Sequence, residues 1–203
     1  PSDASSYVTD VKARYGSLTD EYLTVYPCEN LRNVVVAPVT DGIFGWATER
    51  LANMSGHVNA HSWLYYFDHV STWAEGISMG AFHAAEVEYV FNNTKHNIRY
   101  SPGWPEHVSD KSDLAMSDLM SDYWVAFAKN GVPSVKGKPE WRPYTDGDRH
   151  YMAFRNGSAE LGQELLPGVF ELHEKIVMQR RTQTDLCWDF TNIGLLAPTL
   201  NIK

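Results

Sequence analysis

The segment Gly80-Ala81-Phe82-His83-Ala84-Ala85-Glu86-Val87-Glu88-Tyr89-Val90-Phe91 sets one imidazole in a small-residue loop with two carboxylates close behind it. An imidazole that titrates near neutrality can accept a proton from a hydroxyl and return it to a leaving alkoxide, so His83 suits general base and acid work. Taken alone, the loop leaves a structural role for His83 open. Glu86 lies three residues on, and Glu86 and Glu88 read mainly as hydrogen-bonding and loop-forming groups. A nucleophile is harder to find. Ser55, Ser71 and Ser78 lack the strand-to-helix context of a nucleophile elbow, and no Gly-x-Ser-x-Gly occurs anywhere. The remaining histidines, His57, His61, His69, His96, His107, His150 and His173, are scattered. Only His57 and His61 have a four-residue spacing, but they lack the Glu of an H-E-x-x-H motif and Gly56 interrupts the helix, so no metal site is expected. Cys28 and Cys187 are far apart with no thiol near either, which leaves a long-range disulfide or two free thiols.

Elements must hold His83 in place, and the nearest is Ser62-Trp63-Leu64-Tyr65-Tyr66-Phe67. It is apolar and aromatic on both alternating faces, the pattern of a central parallel strand covered by helices. Side chains that bind or react in open parallel sheets gather beyond the C-terminal strand ends, which is where His83 falls. Residues 68–80 read as an irregular loop between the two, and Trp73 and Met79 within it and Phe82 just beyond it as core or pocket-border groups. Upstream, apolar spacing over 5–24 predicts a helix, a break at Gly16 and a second helix. Asn33–Ala37 fits either a strand or a buried helix start, and Phe44–Ala52 a helix stopped near Gly56. Downstream, residues 112–129 make a long amphipathic helix with Ser109, Asp110 or Ser112 as N-cap and Gly131 with Pro133 as its stop. Tyr151–Phe154 reads as a last strand and 168–181 as a final helix. About three strands alternating with helices argue for an α/β fold, yet an open α/β sheet normally has more strands. Another stretch of chain is expected to complete the sheet.

The ordered run from Gly80 to Phe91 resembles the catalytic-histidine segment of the type-B carboxylesterase and cholinesterase family, within the α/β-hydrolase superfamily. That segment has Gly, one or two apolar residues, His, two small or variable residues, Glu, an apolar and a variable residue, an aromatic, Val and Phe. Tyr123-Trp124-Val125-Ala126-Phe127-Ala128-Lys129-Asn130-Gly131-Val132-Pro133 is similar to a family helix end, and Trp141-Arg142-Pro143-Tyr144 to the segment that follows it. The resemblance covers about residues 5 to 155 and reads 1–203 as the C-terminal portion of a single carboxylesterase domain. It implies a mostly parallel sheet flanked by helices, incomplete without an N-terminal segment. It also implies that His83 works with a serine, an orienting acid and a glycine-rich oxyanion loop, all three upstream of these residues. The expected reaction is two-step ester hydrolysis (the carboxylic ester hydrolase class) with no metal or organic cofactor. A non-catalytic, cholinesterase-like extracellular adhesion module is the alternative. Leu186-Cys187-Trp188-Asp189-Phe190 resembles a family segment that can carry a disulfide cysteine, which makes Cys28–Cys187 a candidate pair.

Composition agrees with a packed protein: 203 residues, 43% hydrophobic and 21% charged. The net charge of −8 and a single compact basic group, Arg180–Arg181 beside Lys175, argue against nucleic acid as a partner. No window is apolar enough to span a membrane. The chain starts at Pro1, which predicts a longer precursor, and the expected partner is the N-terminal portion of that precursor as a second chain, alongside a small-molecule ester substrate. The triplets Asn53-Met54-Ser55, Asn92-Asn93-Thr94 and Asn156-Gly157-Ser158 are glycosylation sequons that suit a secreted, extracytoplasmic protein.

Overall fold

The computed structural model describes residues 3–29, 33–58, 60–95 and 108–182. In chain order the elements are α1 (Ala4–Tyr15), a 3₁₀ turn (Gly16–Leu18), α2 (Thr19–Val25), α3 (Asn33–Thr40), a π turn (Asp41–Gly45) and α4 (Trp46–His57). They continue with β1 (Leu64–Phe67), α5 (Thr72–Gly76), α6 (Val87–Val90), α7 (Lys111–Asn130), β2 (His150–Arg155), β3 (Ser158–Gln163) and α8 (Val169–Arg180). The chain divides into two compact units, one built from residues up to Ala60 and from Leu166 onward, the other from His61 to Leu165.

The first unit is helical. Asp3 caps α1 by accepting from Ser6 N at 2.8 Å, and Gly16, at φ 53°, ends that helix, so the predicted break falls where it was expected. The ambiguous run at 33–37 is helical: Val34 packs among Tyr7, Tyr26 and Leu172, and this burial outweighs β-branched propensity. Pro38 sits inside α3, and the π turn follows at once, where the loss of an amide donor has already loosened the helical ladder. Trp46 Nε1 donates to Glu174 Oε1 at 2.9 Å, and Arg50 pairs with the same carboxylate, tying α4 to α8. Lys175 Nζ binds Glu21 at 2.8 Å and Arg180 lies 5.8 Å over the Tyr15 ring, so much of the basic group is spent inside this unit.

At the centre of this unit the Tyr26 hydroxyl donates to Asp41 Oδ2 at 3.0 Å and lies 3.0 Å from His173 Nε2. Burial holds the imidazole of His173 down at about 4 and pushes the Asp41 carboxyl up. His173 is therefore neutral in the folded state where the unfolded chain, titrating near 6.5, already binds a proton. Its contribution is intact above pH ~6.5 and falls away as pH drops toward ~4. The raised Asp41 acts in the opposite sense, favouring the folded state as it is protonated. Denaturant titrations across pH 4 to 7 should therefore show an acid-side loss of stability that His173→Gln flattens (window from the His173 shift).

The second unit carries the sheet, in the order β1–β2–β3. β1 and β2 are parallel with Leu64 opposite Tyr151, and β2 and β3 antiparallel with Arg155 opposite Ser158. The predicted last strand is thus followed by another. β1, expected as a central strand, has one strand neighbour among the described residues. The core of this unit is aromatic: Tyr65, Tyr123, Trp124, Trp141 and Phe154 meet mostly edge to face, with centroids 5.2 to 6.3 Å apart. Two indole donors also find partners, Trp63 Nε1 on Trp141 O at 3.1 Å and Trp141 Nε1 on Leu64 O at 3.0 Å. Gly162 faces Tyr151 across β2 and β3, and the Tyr151 ring occupies the space a Cβ would need. Gly162→Val is expected to displace that ring at a cost of about 1–3 kcal/mol, read by chemical denaturation.

Candidate active-site loop

His83 lies in the second unit, in a turn over residues 83–86 that ends in α6, and its side chain is exposed. The chain reaches it from the C-terminal end of β1, as expected. Asp68 N continues the ladder by donating to Phe154 O at 2.8 Å, and the backbone then turns through α5. The connection predicted to be irregular is partly helical. Ala74 is buried at 1% exposure, and its carbonyl accepts from Met79 N at 2.9 Å, which closes α5. Trp73 meets Phe82 edge to face at 5.6 Å, so the residue before His83 is pinned by its ring. Two left-handed residues flank the histidine, Gly80 at φ 63° and Ala84 at φ 66°. The Ala84 conformation costs about 1–2 kcal/mol and needs support from its surroundings.

That support comes from α6. Ala85, Glu88 and Tyr89 are buried, and Tyr89 lies 5.4 Å from Phe67, the last residue of β1. The Tyr89 hydroxyl donates to Asp113 Oδ1 at 2.8 Å, and His69 Nε2 lies 2.9 Å from the same oxygen. Both His69 and Asp113 are sealed from solvent, at 2% and 0% exposure. Asp113 belongs to the first turn of α7, where its Oδ2 accepts from Asp110 N at 2.9 Å while Asp110 Oδ1 caps Ser112 N and Asp113 N. Asp110 Oδ2 also accepts from Thr72 Oγ1 at 2.6 Å, and this bond with the amide bonds holds the Asp110 carboxyl below its ordinary range. The first turn of α7 therefore grips α5 through Thr72 and α6 through Tyr89, the two helices on either side of the His83 loop.

His69 and Asp113 look like the base and acid of a triad, but their chemistry is confined. His69 Nδ1 carries no hydrogen bond among the described residues, and the nearby buried Ser117 directs its hydroxyl to Asn92 Oδ1 at 3.2 Å. With no hydroxyl on its ring and no solvent path, His69 positions the loop. Nothing in the sequence marked it, because its partner lies 44 residues away.

The other candidate residues fall as follows. Glu86 is the N-cap of α6, with its carbonyl accepting from Tyr89 N and Val90 N at 3.1 Å. Burial and then the Glu86 charge raise the Tyr65 phenol. Met79 is half-buried and Glu88 buried. Ser55 donates back to Leu51 O at 2.9 Å, Ser71 is the buried N-cap of α5, and Ser78 has φ 57° on an exposed turn. His57 Nε2 is 3.2 Å from Asn53 Oδ1 on its own helix. Among the described residues no three His, Cys, Asp or Glu side chains converge as metal ligands, and no helix is long and apolar enough to cross a membrane. Cys28 is half-buried, while Cys187, His96 and His107 lie outside the described residues, and the Cys28–Cys187 pair with them. A cavity of about 710 Å³ in the first unit is walled by Tyr7, Tyr15, Tyr22, Trp46, His173 and Arg180 among others, but its walls bring no serine or cysteine.

Comparison with known proteins gives a consistent relationship. The chain is 33% identical over 136 residues to bile salt-activated lipase of Mus musculus, covering 61% of this chain and 20% of that protein. It is 25% identical over 136 residues to acetylcholinesterase of Electrophorus electricus, covering 62% and 20%. It is 25% identical over 177 residues to the medium-chain fatty acyl-CoA hydrolase precursor of Anas platyrhynchos, covering 82% and 30%. The chain thus spans between a fifth and a third of the length of these relatives. Among solved structures, a carboxylesterase of Geobacillus stearothermophilus superposes with a TM-score of 0.62 at 20% identity, over 81% of this chain and 34% of that one. A thermophilic PNB esterase gives 0.60 at 20% identity, over 83% and 33%. The fold is that of the matching part of these structures, an α/β-hydrolase fold, as the family resemblance implied, and the alternating elements gave its α/β class. A model of the carboxylesterase family matches residues 11–169, a stretch that takes in β1, the His83 loop, α7 and both strands of the β2–β3 hairpin, and the chain belongs to that family.

Proposed function

We propose that this chain is the C-terminal portion of a serine carboxylesterase and supplies its general base, His83. The observation that carries the reading is the loop itself. An exposed imidazole stands at the C-terminal side of a parallel strand, between two left-handed residues, on a loop clamped at both ends by α7. Such clamping is what a base needs to meet a hydroxyl within hydrogen-bond reach. The nucleophilic serine, the orienting acid and the oxyanion donors belong, in this reading, to an N-terminal portion of the same precursor, which associates as a second chain or precedes this one in a single polypeptide. Both units form one carboxylesterase domain with it, in line with the family match that crosses from the first unit into the second and back.

The serine hydroxyl gives its proton to the imidazole as its oxygen bonds to the acyl carbon. The imidazolium then protonates the departing alkoxide, and water repeats the two transfers on the acyl-enzyme. Proton bookkeeping closes on the protein's own side chains, so no organic cofactor is needed. The substrate class is a small-molecule carboxylic ester, and secretion is part of the proposal. A pH-stat assay tests the activity: the complete protein should release acid from a short-chain ester, and failure to release acid from any of a panel of short and long acyl esters would refute it.

A further inference from the structure

The three glycosylation sequons are unequal in the structure. Asn53 lies inside α4 at 8% exposure, with its Oδ1 3.2 Å from His57 Nε2. Asn92 closes the turn after α6 and uses both ends of its amide: Nδ2 donates to Asp118 Oδ1 at 3.2 Å and contacts Ser121 Oγ at 3.5 Å, while Oδ1 accepts from Ser117. The third residue of that sequon, Thr94, is 3% exposed. A sugar on Asn53 would have to displace the protein packed around that side chain, and one on Asn92 Nδ2 would replace its hydrogen bond to Asp118 and its contact with Ser121.

Asn156 differs in each respect. Arg155 and Ser158 are paired across β2 and β3, so Asn156-Gly157 is a two-residue turn, and φ values of 50° and 73° make it the type I′ turn that Asn-Gly favours. The Asn156 side chain is exposed and its amide makes no hydrogen bond among the described residues. The turn is also fixed in place. Gly157 lies so close to α7 that a Cβ would stand 3.2 Å from Ser112 O, which leaves its neighbour as the outward-facing member.

We propose that Asn156 is the acceptor for an N-linked oligosaccharide in the secretory pathway, and that Asn53 and Asn92 stay bare. The donor is a lipid-pyrophosphate-linked oligosaccharide. Asn156 Nδ2 bonds to the anomeric carbon, the bond from that carbon to the pyrophosphate oxygen breaks, the pyrophosphate leaves with the electron pair and the amide releases one proton. Transfer precedes the bond from Ser158 Oγ to Arg155 O at 3.1 Å, and closure of the hairpin then presents the sugar to solvent, whereas a glycan on Asn53 or Asn92 would oppose the packing of α4 or of the turn after α6, so the folded protein carries neither. This modification rests on the proposed secretion and does not depend on ester chemistry.

The test is to express the complete protein through the secretory pathway of a eukaryotic host and to release glycans with an N-glycosidase in heavy-oxygen water, reading both medium and cell membranes by peptide mass spectrometry. Heavy-oxygen aspartate is expected at position 156, with unmodified asparagine at 53 and 92. Ser158→Ala, which keeps Asn156 in its turn but destroys the sequon, should abolish the glycan-dependent mobility shift. A bare Asn156, or a glycan on Asn53 or Asn92, overturns the proposal.

Discussion

His83→Ala should lower kcat/KM for a short-chain aryl ester by roughly 10⁴-fold or more while leaving folding stability within about 0.5 kcal/mol of wild type. The size follows from the proposed role. Without a base the serine must lose its proton to water, and what remains is substrate binding and oxyanion stabilisation. The small effect on stability follows from exposure, because the imidazole fills no core space. Adding free imidazole should restore part of the rate, a readout that a structural histidine would not give. A decrease of less than tenfold, or one explained by a lost fold, would place the base elsewhere.

Asp113→Ala should be the most destabilising change to the loop's support, at about 3–5 kcal/mol by denaturant titration. Its carboxylate receives Tyr89 Oη, the His69 ring and Asp110 N, and at 0% exposure no water takes its place. Removing it strands several buried polar groups at once and frees α6 from α7. Tyr89→Phe, which removes a single donor and keeps the ring against Phe67, should cost only about 1 kcal/mol. Equal costs for the two variants would show that the network does not act through Asp113. Because α6 anchors the His83 turn, Asp113→Ala assayed below its unfolding temperature should reduce kcat more than KM.

The parts of this architecture that could be read from sequence are those whose signals are local. Asp110 and Gly131 bound α7 by capping chemistry that needs no tertiary partner, and Gly16 breaks α1 from α2 in the same way. The His83 loop was legible because its whole pattern lies within a dozen consecutive residues. β3 was not, since Ser158–Gln163 is largely polar and buries only Ala159, although Asn156-Gly157 is a strong hairpin signal that would have found it. α5 and α6 are too short to leave a helical period. α3 shows propensity losing to burial, with Val34 held by the core of the first unit. The clamp was invisible for a different reason: Thr72–Asp110, Tyr89–Asp113 and His69–Asp113 join positions 38, 24 and 44 residues apart, and only the folded chain brings them together.

The central claim, that His83 activates a serine supplied by the N-terminal portion, is tested most directly by covalent labelling. The complete native protein is treated with a fluorophosphonate, digested, and the labelled peptide identified by mass spectrometry, for wild type and His83→Ala in parallel. The label is expected on a serine upstream of this chain, at a rate that collapses in the variant. Equal labelling of both proteins would remove His83 from the mechanism, and a folded protein with no labelled serine would make it a non-catalytic binding module.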